Sequence, residues 1–224
     1  MSTDTSAPLP AELSEKHKAL KEHLAKLGAV AVAFSGGVDS TLLLSAAADV
    51  LGDNAVAITA LAQMIPAREI REASDFCTER SIRHVVMDID ALSIPGFAEN
   101  PVDRCYFCKS ALFARIMDQA AHLGIPYVVE GTNTSDLGDY RPGLKALGEL
   151  KVDSPLLVAG LSKADVRALS RKLGLPTWDK PSYACLASRI PYNESERIHD
   201  AGFAYVTIDA DGYRTGSLNQ NVSE

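Results

Sequence analysis

The chain has 224 residues, 46% of them hydrophobic and 23% charged, a globular balance that excludes a wholly disordered chain, a collagen and a coiled coil. No run approaches the ~20 apolar residues needed to span a bilayer, and the opening MSTDTSAPLPAELSEKHK lacks the basic-then-apolar order of a signal peptide, so a cytoplasmic protein without membrane contact is expected. The net charge of −7 offers no general attraction to phosphate backbones and argues against a nucleic-acid partner.

Residues 1–12, rich in Ser, Thr, Pro and Ala, read as a disordered tail. Apolar positions 13, 20, 24 and 27 predict an amphipathic helix ended by Gly28. The continuous apolar run Ala29–Phe34 fits a strand buried on both faces. A glycine turn follows, then a helix from about Asp39 to Leu51. The pattern then repeats. Strands are predicted at Ala55–Leu61, His84–Asp88 and Tyr127–Glu130, with helices from Pro66 to about Arg80 and from Lys109 to Leu123 between them. Alternating strands and helices imply an α/β fold: a parallel sheet covered by helices, with ligands bound at the carboxyl ends of the strands.

Beyond residue 140 the pattern changes. Asp139–Gly143 reads as a turn, Ser162 as the cap of a helix running to Leu173 before Gly174, Trp178–Tyr192 as irregular, and Ala204–Asp209 as a strand. This divides the chain into a main domain over 13–160 and a smaller C-terminal α+β domain over 161–224. There is no internal repeat.

The turn Ser35-Gly36-Gly37-Val38-Asp39-Ser40 lies between a buried strand and a helix. Its glycines permit positive φ and close approach of a ligand, its amides can form an anion nest, and the helix adds its positive end. Ser35 and Ser40 offer hydroxyls, and Asp39 caps the helix or holds Mg²⁺. The site suits a phosphate or pyrophosphate. It is not a Walker loop, because the lysine and the longer spacing are missing. The hexapeptide resembles the signature of the PP-loop ATP pyrophosphatases, over about residues 29–133. That resemblance implies cleavage of ATP to AMP and pyrophosphate with adenylation of a substrate oxygen. It assigns nucleotide binding to Ser35, Gly36, Gly37, Asp39, Ser40 and Gly131, with Asp39 catalytic.

Four cysteines in a cytosolic chain suggest metal binding or catalysis rather than disulfides. Cys105 and Cys108 are spaced to reach one metal; Cys185 is a third thiol; Cys77, beside Phe76, reads as a small core residue. Three thiolates fall one short of a closed zinc site unless Cys77 or a histidine completes the set, and on a [4Fe–4S] cluster they leave one iron open. The runs NPVDRCYFCK, EGTNTSDLGDYRPGLKAL, WDKPSYACLASRIPY and GFAYVTIDADGYRTG are similar to those of the LarE family, from about residue 13 to the end. These are ATP-dependent sulfur transferases of nickel-pincer nucleotide synthesis. They convert an adenylated pyridinium dicarboxylate mononucleotide to a thiocarboxylate.

Some members sacrifice a cysteine sulfur; others carry three cysteines and resemble enzymes that pass on a sulfide bound to a [4Fe–4S] cluster. By this resemblance Cys105, Cys108 and Cys185 are the ligands, with Cys185 also catalytic. Ser188, Arg189 and Arg214 contact the substrate phosphate, a sulfide donor is required, and the protein is a homo-oligomer, a hexamer in the family. ATP with Mg²⁺ and the cluster are the implied cofactors. The family has a further βα segment between the RIPY and GFAYVTID blocks, where this chain has only residues 193–201.

Other residues divide between roles. Asp136 and Asp139 suit either Mg²⁺ or a plain turn, and Tyr106, Phe107, Trp178 and Tyr183 suit either core packing or cover for the sulfur site. His17 and His23 are expected to be solvated. Other readings are a PP-loop tRNA thiolase, an amide-forming synthetase of the NAD or GMP type, and a nucleotide-sensing zinc protein. The acidic charge disfavours the first. The second leaves the three cysteines without a task.

Overall fold

In a computed structural model, residues 8–62, 64–138, 142–181 and 185 are described. Helix α1 (Ala11–Leu27) buries Leu13, Leu20 and Leu24 and stops at Gly28, whose φ of 74° suits a residue without Cβ. Strand β1 (Val30–Ala33) leads through the glycine turn into α2 (Val38–Leu51). Then come β2 (Ala55–Leu61), α3 (Ala67–Glu79), β3 (Arg83–Asp88), α4 (Arg104–His122) and β4 (Tyr127–Val129). Three helices follow: α5 (Pro142–Glu149), α6 (Pro155–Val158) and α7 (Lys163–Lys172).

The strands form one parallel sheet in the order β3-β2-β1-β4. The chain steps outward from β1 through β2 to β3, then returns to place β4 on the other side of β1. The order therefore reverses between β1 and β4, and a crevice at their carboxyl ends is where such sheets bind ligands. Alternation along β1 feeds two cores. Val30 and Val32 pack with Leu20, Leu43 and Leu169 on the side of α1, α2 and α7. Ala31 packs with Ile58, Phe113 and Ile116 on the side of α4. A smaller cluster of Met64, Ile89, Ile94 and Phe97 lies against Phe107 and Cys108. No helix among the described residues is long and apolar enough to cross a membrane.

Two expectations are corrected. Helix α4 begins at Arg104, not Lys109, so Cys105 and Cys108 stand three apart on one helical face. Pro142 and Gly143 open α5 rather than closing a turn. Proline suits a first helical position. The Lys109 side chain packs over Gly143: a Cβ there would lie 2.7 Å from its Cδ. The expected strand at 204–209 lies outside the described residues.

Candidate active site

Phe34 follows the last residue of β1, and its carbonyl is held from the side. Thr59 Oγ1 donates to Phe34 O at 2.7 Å, and His84 Nε2 lies 2.8 Å from the same hydroxyl. The hydroxyl proton is directed at Phe34, so His84 Nε2 is the donor in that pair. Burial lowers the His84 pKa, which favours this neutral ring.

Gly36 takes φ +69°, and Gly37, extended at φ −80° and ψ 166°, caps α2. Ser35 and Ser40 bind the turn together, their hydroxyls 3.1 Å apart, with Ser40 Oγ donating to Gly37 O at 3.2 Å. The first helical bond runs from Thr41 N to Gly37 O at 2.9 Å. The Val38, Asp39 and Ser40 amides ahead of it have no intrahelical acceptor, which leaves a positive end suited to an anion.

Asp39 is held by two groups that spacing did not reveal. Asn133 Nδ2 donates to Oδ1 at 3.1 Å, and Lys163 Nζ, in the first turn of α7, meets Oδ2 at 2.5 Å. Gly131 lies flat against this junction; a Cβ there would be 3.1 Å from the Ser40 amide nitrogen. Buried Glu130 accepts from Thr132 N and Oγ1 and from Ser154 Oγ, shaping the turn that carries Asn133. Asp136 accepts from Asn133 N at 2.9 Å, so it braces the turn. Lys180 reaches the loop from its Gly36 side, donating to Gly36 O at 3.1 Å. Thus Ser35, Gly36, Gly37, Asp39, Ser40 and Gly131 do come together.

The thiols form a second group. Cys105 and Cys108 are half-buried and Cys185 is exposed. Burial, then Cys185 and Cys105, push the Cys108 thiol up to about 11, against the pull of Arg104 and Lys109. That mutual influence puts the three thiols in one neighbourhood, although no set of three or more Cys, His, Asp or Glu among the described residues is gathered tightly enough to hold a metal ion. Cys77 is buried in α3, and burial pushes it to about 11, as expected of a core cysteine.

The aromatic residues have structural partners. Tyr106 donates to Glu149 Oε2 at 2.6 Å, Phe107 covers Gly96, and Trp178 lies 4.9 Å beneath the Arg171 guanidinium. His17 and His23 are half-buried rather than solvated. Burial lowers the His17 pKa, and His23 lies 2.8 Å from Asp153. Asp139, Tyr183, Ser188, Arg189 and Arg214 lie outside the described residues.

The chain is 32% identical to the pyridinium-3,5-bisthiocarboxylic acid mononucleotide synthase of Lactiplantibacillus plantarum, over 96% of this chain and 97% of the relative. That alignment runs over 268 positions against 224 residues here, as it must if the relative carries residues this chain lacks. An uncharacterized protein of Synechocystis is 41% identical over 90% of this chain and 76% of its own length. In fold, the NMN synthetase of Francisella tularensis superposes with a TM-score of 0.63 at 17% identity, covering 84% of this chain and 86% of that one. The family model described as NAD synthase matches residues 12–209, and the chain therefore belongs to the NAD synthase-like PP-loop family of ATP-using enzymes.

Proposed function

We propose that this chain is an ATP-dependent sulfur transferase that adenylates a pyridinium dicarboxylate mononucleotide and converts the carboxylate to a thiocarboxylate. The observation that carries this reading is the 32% identity, over nearly the full length of both chains, to a synthase of a bisthiocarboxylic acid mononucleotide. The three neighbouring thiols support it, since an amide-forming synthetase has no use for them.

The chemistry runs in two steps. A carboxylate is a poor electrophile because its oxygen leaves badly. Attack of that oxygen on the α-phosphorus of ATP forms an acyl-adenylate and releases pyrophosphate. Sulfur then attacks the acyl carbon, the bond to the AMP oxygen breaks, and thiocarboxylate and AMP result. The Ser35–Ser40 turn binds the phosphates through its amides and hydroxyls. Asp39, paired with Lys163 in the structure, would hold Mg²⁺, which would supply charge neutralisation for the phosphates. Ser188, Arg189 and Arg214 hold the substrate phosphate, with Arg forks suited to bidentate bonds.

Cys105, Cys108 and Cys185 would hold a [4Fe–4S] cluster. The all-thiol donor set fits one, since soft thiolates are its usual ligands and three of them leave one iron open. When bound, the cluster supplies that iron as a seat for sulfide from an external donor. Buried Arg104 and Lys109 pull the Cys108 thiol down, although burial and the other two thiols outweigh them. By the same resemblance the protein works in the cytoplasm as a homo-oligomer.

Cysteine variants test the sulfur step. Each of Cys105→Ser, Cys108→Ser and Cys185→Ser is expected to lower iron content and thiocarboxylate formation together, with pyrophosphate release retained. The polypeptide mass should be unchanged after many turnovers. Dehydroalanine at position 185 with full activity in Cys105→Ser would show a sacrificial thiol instead.

A further inference from the structure

The phosphate-binding turn has no lysine of its own, yet an ammonium 144 positions away is built into its back. Lys180 Nζ donates to Gly36 O at 3.1 Å, to Glu69 Oε2 at 2.5 Å and to Glu72 Oε2 at 2.8 Å. An ammonium has three N–H donors, so its capacity is filled. The side chain is only 13% exposed. Burial works to lower its pKa, but the two carboxylates more than offset this and hold it above the ordinary lysine value. The backbone carrying it is also fixed: Arg167 donates to Trp178 O at 2.8 Å and to Lys180 O at 2.9 Å.

The partner that stands out is the Gly36 carbonyl. A nest of amides binds phosphate only if the loop carbonyls turn away from it, because carbonyl and phosphate oxygens repel. In a planar trans peptide the C=O and the following N–H point in opposite directions. Holding Gly36 O therefore aims the Gly37 N–H to the other side of the peptide, where it meets Ser35 Oγ at 3.4 Å. That bond is long, and a phosphate oxygen can replace it.

We infer that Lys180 is a positioning residue for the phosphates of ATP: anchored on Glu69 and Glu72, it fixes the Gly36 carbonyl from behind and keeps the Gly37 amide turned toward the nucleotide. Lys180 does not touch the nucleotide, and the inference rests on the ATP-using family rather than on the sulfur chemistry. The test is equilibrium binding of MgATP and of adenosine, which lacks phosphates, to the full chain and to Lys180→Met. The variant is expected to bind MgATP about tenfold more weakly, with adenosine unaltered. Unaltered MgATP binding by folded Lys180→Met, or an equal loss for adenosine, would overturn the inference. If Lys180→Met does not fold, the double variant Glu69→Gln with Glu72→Gln carries the same test, since it keeps the lysine and removes its anionic anchors. A selective loss of MgATP affinity supports the assignment, and unaltered MgATP affinity overturns it.

Discussion

Gly131 shows how closely the site is built. A methyl group there would press on the Ser40 amide nitrogen at 3.1 Å and on the Asp39 carbonyl carbon at 3.2 Å, both backbone atoms that cannot rotate aside. Gly131→Ala is expected to slow pyrophosphate release about tenfold or more by moving the 131–133 turn off α2, measured by a coupled pyrophosphate assay. Gly37 differs. A Cβ there meets only Ser35 Oγ at 3.4 Å, so Gly37→Val should fold, with a normal circular dichroism spectrum, and yet release no pyrophosphate because its methyls cover the phosphate face. Normal ATP turnover in that variant would contradict the site. The loop residues were legible because glycine, serine and aspartate announce an anion nest locally. Lys163 and Lys180 were not, because their partners lie 124 and 144 positions away and no local spacing joins them. The sequence reading started this helix at Lys109, so the placement of Cys105 in the first turn of α4 came only with the fold.

At the scale of elements, α7 was read from its ends, and both hold. Ser162 Oγ accepts from Asp165 N, the Asp165 carboxylate accepts from Ser162 N, and Gly174 follows at φ 66°. This capping box sets where Lys163 sits, so it joins stability to the site. Ser162→Ala is expected to cost about 1 kcal/mol and to lower the melting temperature, with a smaller loss if Asn replaces Ser. An Ala variant as stable as the natural chain would show that packing of Val166 and Leu169 alone holds α7 in place. Helices α5 and α6, of eight and four residues, escaped the sequence reading because runs so short hold too few turns for a 3.6-residue period to register. Strands β2 and β3 were legible from their apolar, β-branched runs.

Across the whole molecule, the parallel α/β sheet followed from alternation of strands and helices, while the order β3-β2-β1-β4 depends on pairings between distant strands. That order puts the glycine turn and the 131–133 turn at one crevice. Two histidines tie the fold to pH. Burial lowers the pKa of His84, and burial followed by Lys21 lowers that of His17. Their contribution to stability is present above the unfolded histidine value of about 6.5 and is lost as pH falls from there toward their folded values. Melting temperature should therefore fall on acidification below that value, and His84→Gln should flatten the dependence. An unchanged acid dependence in His84→Gln would remove His84 from this account.

The central claim, ATP-driven replacement of a carboxylate oxygen by sulfur, is tested most directly by mass analysis of products from anaerobic protein given MgATP, sulfide and pyridinium-3,5-dicarboxylate mononucleotide. The expected result is AMP and pyrophosphate in step with a mononucleotide in which sulfur has replaced one carboxylate oxygen. AMP and pyrophosphate formed with an unmodified mononucleotide, or with an amide when ammonia is supplied, would contradict it.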